Sequence, residues 1–155
     1  MPVIHVETFI DASPEVCFDL ARNVHAHVSS AERSKEKVVS APESGLLELG
    51  DEVVFEAVHF GVKQRLRSRV VEYDRPRRFV DEMQQGAFKM LRHVHDFEEL
   101  GAGTKMVDQM TFESPFGLFG AAIDRLFLAG YLSRFLVARN SALKSMAEAP
   151  TSRRS

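Results

Sequence analysis

One cysteine, Cys17, occurs in 155 residues. No disulfide can therefore form within the chain, and a lone thiol fits a reducing compartment. Charge of one sign is also missing: 20 Lys and Arg stand against 22 Asp and Glu, a formal net charge of −2. That balance leaves no electrostatic footprint for nucleic acid. No Gly-rich phosphate loop, serine-centred nucleophile elbow or dinucleotide fingerprint is present. The start, MPVIHVETFI, lacks the basic end and long apolar core of a secretion signal, so a cytoplasmic protein is expected. The apolar stretch from Phe116 to Leu132 is at the lower length limit for crossing a bilayer and carries Asp124 and Arg125 in its middle. It reads as not transmembrane. No repeat, linker or low-complexity segment divides the chain, which predicts one domain over 1–148 and a polar tail over 149–155.

Proline is absent from Phe116 to Ala149, and this stretch organises the rest. Ser114 is placed to cap a helix and Pro115 to occupy its first position, where no backbone N–H is needed. About thirty residues at ~1.5 Å each give a rod on the order of 45 Å. Its first half is apolar on nearly every side. Its second half has a stripe of Leu128, Leu132, Phe135, Leu136, Leu143 and Met146, with Arg134, Lys144 and Glu148 away from it. Gly117, Gly120 and Gly130 either permit close packing on a sheet or let this end move as a gate. Such a helix needs a broad apolar surface to lie on.

The remaining chain supplies a sheet. Val3 to Ile10 alternates as a first strand. Ser13 and Pro14 then open a short helix, and a second helix is expected over Val24 to Arg33. Further strands are predicted at Val38 to Ser40, Glu52 to Phe60, Val62 to Tyr73, Arg78 to Gln84, Phe88 to Leu100 and Thr104 to Glu113, joined by tight turns. Hairpin connections make the sheet mainly antiparallel. A curved sheet around one helix leaves a space between them, the natural place for a ligand.

This order resembles the helix-grip fold of the START, polyketide-cyclase and birch-pollen-allergen superfamily over essentially the whole chain. The expected class is α+β: a curved, mainly antiparallel sheet of six to seven strands around a long C-terminal helix, with two short helices after strand 1. The stretch from Phe79 to Gly120 is similar to the region around a Gly-Pro-Phe and His-x-His pattern in bacterial ligand-binding members. Gly86, Phe88, His93, His95, Phe97, Gly103, Thr104, Asp108, Pro115 and Gly117 fall at matching places. Ala87 replaces the usual proline, and Leu91 stands where tryptophan is common. The resemblance implies a cavity for an apolar or amphipathic small molecule. The superfamily also holds cyclases, lipid carriers and chaperone activators, so the fold does not choose among them.

Four polar residues sit in otherwise apolar rows. His93 and His95 share a strand face with Leu91 and Phe97, Asp108 with Met106, Met110 and Phe112, and Asp81 with Phe79 and Met83. A buried acid needs a partner, and an imidazole N–H is a suitable one. Three readings stand: a structural network, orienting hydrogen bonds at the base of a ligand pocket, or a metal or acid–base site. No third histidine or cysteine has ligand spacing, so no metal and no cofactor are expected. The leading expectation is a binding protein for a lipid-, quinone- or polyketide-like molecule. Its polar anchors are His93, His95, Asp108, Asp81 and His59. Its wall is Phe55, Leu66, Phe79, Met83, Leu91, Met106, Met110, Ile123 and Phe127. The alternatives are a cyclase- or dehydratase-like enzyme using His93, His95 and Asp108, or a partner-binding module.

Other candidates have plainer readings. Lys63, Arg65, Arg67 and Arg69 form the outer face of one strand, neutralised by acids elsewhere. His25 and His27 read as helix surface residues, and Cys17 as a packed thiol. Phe116, Leu118, Phe119, Phe127 and Tyr131 belong mostly to the core, with an exposed remainder available to a dimer contact or a membrane surface. The chain is expected to be a monomer or homodimer.

Overall fold

The computed structural model describes residues 2–30, 36–59, 61–115, 117–123 and 127–149. Seven strands form one antiparallel sheet: β1 (Val3–Ile10), β2 (Lys37–Ser40), β3 (Glu52–His59), β4 (Val62–Asp74), β5 (Arg78–Gln85), β6 (Met90–Leu100) and β7 (Gly103–Glu113). Their order across the sheet is β1-β7-β6-β5-β4-β3-β2. Strands β2 to β7 follow one another as a meander, and β1 crosses over to pair with β7. Helices α1 (Pro14–Ala21) and α2 (Val24–Ser30) fill the crossover, and α3 (Gly117–Ile123) and α4 (Ala129–Glu148) follow the sheet.

Local chemistry explains most boundaries. The Ser13 hydroxyl accepts the Val16 N–H at 3.3 Å, and Pro14 opens α1. The Asn23 side chain does the same for α2, accepting from His25 and Ala26 at 2.9 and 3.0 Å. Gly103 is required by close approach: a Cβ there would meet the Ile10 carbonyl oxygen at 2.6 Å. That contact seats the β6–β7 hairpin against the end of β1.

The long C-terminal helix is present as α4, preceded by α3, which begins two residues after Pro115. Ser114 and Pro115 precede it, and Gly117 has φ 59°, a left-handed value that glycine tolerates without a Cβ penalty. Phe127 and Leu128 form a π-helical turn before α4. Several expectations fall outside the described residues: the end of the second helix at 31–35, Phe60, Phe116, the Asp124–Arg125 pair and the tail from 150.

Helix α4 buries Leu136, Arg139, Asn140, Leu143 and Ala147, a stripe at helical spacing. Leu136 packs with Ile4, Val6, Met110 and Phe112 from β1 and β7. At the other end of the sheet Phe18 of α1 is fully buried, meeting Tyr73 and Phe79 edge-on at 5.4 and 5.2 Å. A third cluster joins Val24 to Val53 and Phe55. No helix among the described residues is long and apolar enough to cross a membrane.

Candidate functional site

The three clusters do not close on one another, and a cavity of about 320 Å³ lies between them. Its walls come from β3 to β7, the α1–α2 junction, Ala87 and Phe88, Leu128, and the start of α4 at Tyr131, Leu132 and Phe135.

Its polar floor is built on β5, β6 and β7. Asp81 lies directly opposite His93, and His95 directly opposite Asp108. The hydrogen bonds run diagonally instead. His93 Nε2 donates to Asp108 Oδ1 at 2.7 Å, and His95 Nε2 donates to Asp81 Oδ2 at 2.7 Å. To reach past each other the rings stack, with centroids 3.7 Å apart, and Phe79 stacks on the other face of His95 at 4.1 Å.

The two carboxylates have different surroundings. Asp108 is fully buried and does not line the cavity. Arg139 Nη2 donates to its Oδ1 at 3.2 Å, and Asn140 Nδ2 to its Oδ2 at 2.6 Å. Burial opposes ionisation, but the His93 hydrogen bond and the Arg139 charge outweigh it and hold this carboxyl well below the usual range. Asp81 lines the cavity and keeps 29% of its side-chain surface. It accepts from Ser68 Oγ at 3.1 Å as well as from His95. Against the burial cost, the His95 hydrogen bond holds Asp81 down at about 2. Burial, and next to it the neighbouring His93, lower His95 to about 4, so its ring is neutral at pH 7. Its Nδ1 has no hydrogen-bond partner, and Asp108 Oδ1, itself an acceptor, stands 3.5 Å away.

Donor atoms of Asp81, His93 and His95 lie within 4.8 Å of one another, close enough to be drawn onto one divalent ion. The stacked rings, 27° from parallel, direct their in-plane lone pairs side by side rather than toward a common point. Both Nε2 atoms are also committed to carboxylates. A metal would require one ring to turn.

The remaining sequence candidates divide by position. His59, Phe55, Leu66, Phe79, Leu91 and Met110 line the cavity with His93, His95 and Asp81. His59 Nδ1 pairs with the Tyr131 hydroxyl at 2.6 Å, and burial lowers the imidazole pKa while raising the phenol's. Met83, Met106, Ile123 and Phe127 do not line it: Met106 is fully buried with Phe18 in the core, and Phe127 is 65% exposed. Phe119, 77% exposed, belongs with Phe127 to the exposed remainder of that segment.

His27 corrects a second expectation. It lies in the cavity wall rather than on the surface, bonded to Glu36 at 2.8 Å and stacked on Phe55 at 4.5 Å. His25 is exposed. Cys17 is buried, and burial pushes its thiol pKa up, as a packed thiol requires. The basic row on β4 is neutralised as expected, Arg65 and Lys63 by Glu56, and Arg67 and Arg69 by Glu52.

Sequence reasoning missed Arg139 and Asn140. Their positions, three and four residues after Leu136, put two polar side chains on the buried stripe of α4. That periodicity was the available signal. Strand alternation puts Ser68 on the inward face with Leu66 and Val70, but its match to Asp81 depends on strand pairing.

Solved structures with the same fold include TTHA0849 from Thermus thermophilus, with 22% identity and a TM-score of 0.74 over 95% of this chain and 100% of that one. Ginseng major latex-like protein 151 from Panax ginseng has 13% identity and a TM-score of 0.72, covering 96% and 98%. A START superfamily protein from Mycobacterium smegmatis has 16% identity and a TM-score of 0.72, covering 94% and 97%. Among curated proteins none matches the sequence significantly. Residues 1–148 match the model of one sequence family, and on that match the chain belongs to the polyketide cyclase / dehydrase and lipid transport family.

Proposed function

We propose that this protein binds a hydrophobic or amphipathic small molecule in the cavity between the sheet and α4. The observation that carries the reading is the cavity itself. About 320 Å³ is left open among Phe55, Leu66, Leu91, Met110, Leu132 and Phe135, while His93, His95 and Asp81 supply polar groups at one wall. An apolar enclosure with few convergent polar groups is the usual form of a small-molecule site. Family membership supports the same reading at the level of a lipid-like or polyketide-like ligand. The test is native mass spectrometry of the purified protein against its denatured mass, followed by titration with the fluorescent probe N-phenyl-1-naphthylamine. An excess of a few hundred daltons lost on denaturation, or saturable probe binding, supports it. The absence of both signals would overturn it.

A second reading, cyclase- or dehydratase-like catalysis, is favoured by one feature. His93 lines the cavity with Nε2 held by Asp108, the arrangement of an oriented acid–base imidazole. His95 is less suited, since its only uncommitted nitrogen is buried. In this reading His93→Gln abolishes turnover while N-phenyl-1-naphthylamine still binds. Turnover that persists in His93→Gln removes it.

A further inference from the structure

The charges lining the cavity are unequally matched. Three arginines touch its wall, and each already has a carboxylate: Arg22 donates to Asp19 at 2.8 Å, Arg65 to Glu56 at 3.0 Å, and Arg69 to Glu52. His27 faces Glu36. Arg139, the cation buried beneath the floor, is taken by Asp108. Asp81 differs. Its oxygens are held by the Ser68 hydroxyl and by the neutral ring of His95, and no Lys or Arg among the described residues forms an ion pair with it. It stands in the cavity wall as a carboxylate hydrogen-bonded to a hydroxyl and an imidazole and to no Lys or Arg among the described residues.

The groups beside it have few hydrogens left to give. The Nε2–H of His93 is committed to Asp108 and that of His95 to Asp81, and Ser68 spends its hydroxyl hydrogen on Asp81. A carboxylate ligand placed here would meet a like charge in a poorly solvated space. A hydroxyl or ammonium would find the Asp81 carboxylate already oriented.

We propose that the cavity selects amphiphiles whose polar end donates a hydrogen bond, an alcohol, phenol or protonated amine directed at Asp81, and rejects the matched carboxylates. The proposal rests on the ligand-binding reading above and adds the chemical class.

The experiment uses the full chain at neutral pH with N-phenyl-1-naphthylamine bound, displaced in turn by decanol, decylamine and decanoate. These share one apolar tail and differ only at the head. Decanol and decylamine are expected to displace the probe at least ~10-fold more effectively than decanoate. In Asp81→Asn the preference over decanoate is expected to collapse, with decylamine losing most. Decanoate binding as well as decanol in the wild type overturns the proposal and leaves ligand binding standing. So does an unchanged ratio in Asp81→Asn. If neither the probe nor any competitor binds, the ligand-binding reading fails and this proposal fails with it. The wild-type ratio decides without the variant, should Asp81→Asn not fold.

Discussion

Asp108 accepts its 2.7 Å hydrogen bond from His93, two residues along β6 from the position directly opposite it. The position opposite belongs to His95, which reaches the other way to Asp81, itself opposite His93. The two pairs therefore cross, and the stacked rings at the crossing make each pair a support for the other. Three neighbouring strands are tied together inside the fold, and α4 joins them through Arg139 and Asn140.

Removing the centre of this network should destabilise the protein rather than merely weaken a ligand contact. Asp108→Ala leaves Arg139 buried without its carboxylate, and a broken buried pair costs ~3–5 kcal/mol. Urea unfolding should show this loss, and adding Arg139→Met should recover part of it. A single variant with unchanged stability would mean that Asp108 does not anchor α4.

His95 makes stability depend on pH in a defined direction. Burial first, and His93 second, lower its pKa from 6.5 to about 4 in the folded protein. As pH falls the unfolded chain takes up this proton first. The contribution is complete above 6.5 and is lost as pH drops toward 4, on the order of 3 kcal/mol in all. His59, lowered by burial, adds to the same slope. Denaturation series from pH 7.5 to 4.5 should show the decline, and His95→Gln, which keeps a donor for Asp81, should flatten much of it. An equal slope in that variant would assign the effect elsewhere.

The cavity can be filled from its own wall. Leu66 lines it and is only partly buried. Leu66→Trp should occupy space that a ligand needs, reducing N-phenyl-1-naphthylamine affinity by ~10-fold or more while stability changes by under ~1.5 kcal/mol. Equal probe affinity in the two proteins would place the probe outside this cavity.

The ionic ladder on the outer face of β3 and β4 should matter little. Glu52, paired with Arg67 and Arg69, lies at the surface with 32% of its side chain exposed. Glu52→Ala should cost under ~1 kcal/mol, and the difference should shrink in high salt. A cost of several kcal/mol, insensitive to salt, would contradict a solvated face.

Much of the architecture was legible because it follows from local rules. Alternation from Val3 to Ile10 and from Val62 to Val70 sets strand faces, and Ser13 with Pro14 sets the start of α1. The inward placement of His93, His95 and Asp108 follows from the two-residue period of their strands. Ser114-Pro115 marks the start of the C-terminal helical segment to within two residues, α3 beginning at Gly117.

Periodicity by itself determined that four polar side chains point inward and that one apolar helix covers a sheet. The choice of partners was decided only in three dimensions. Asp81 and Asp108 look equivalent in sequence, each in an apolar row beside a histidine. Strand order and the seating of α4 give Asp108 an arginine and an amide, and leave Asp81 with neutral donors at the edge of a cavity. The physical reason is range. The direction of a side chain is set by its own backbone, whereas compensation of a buried charge depends on residues tens of positions away, brought close only by folding.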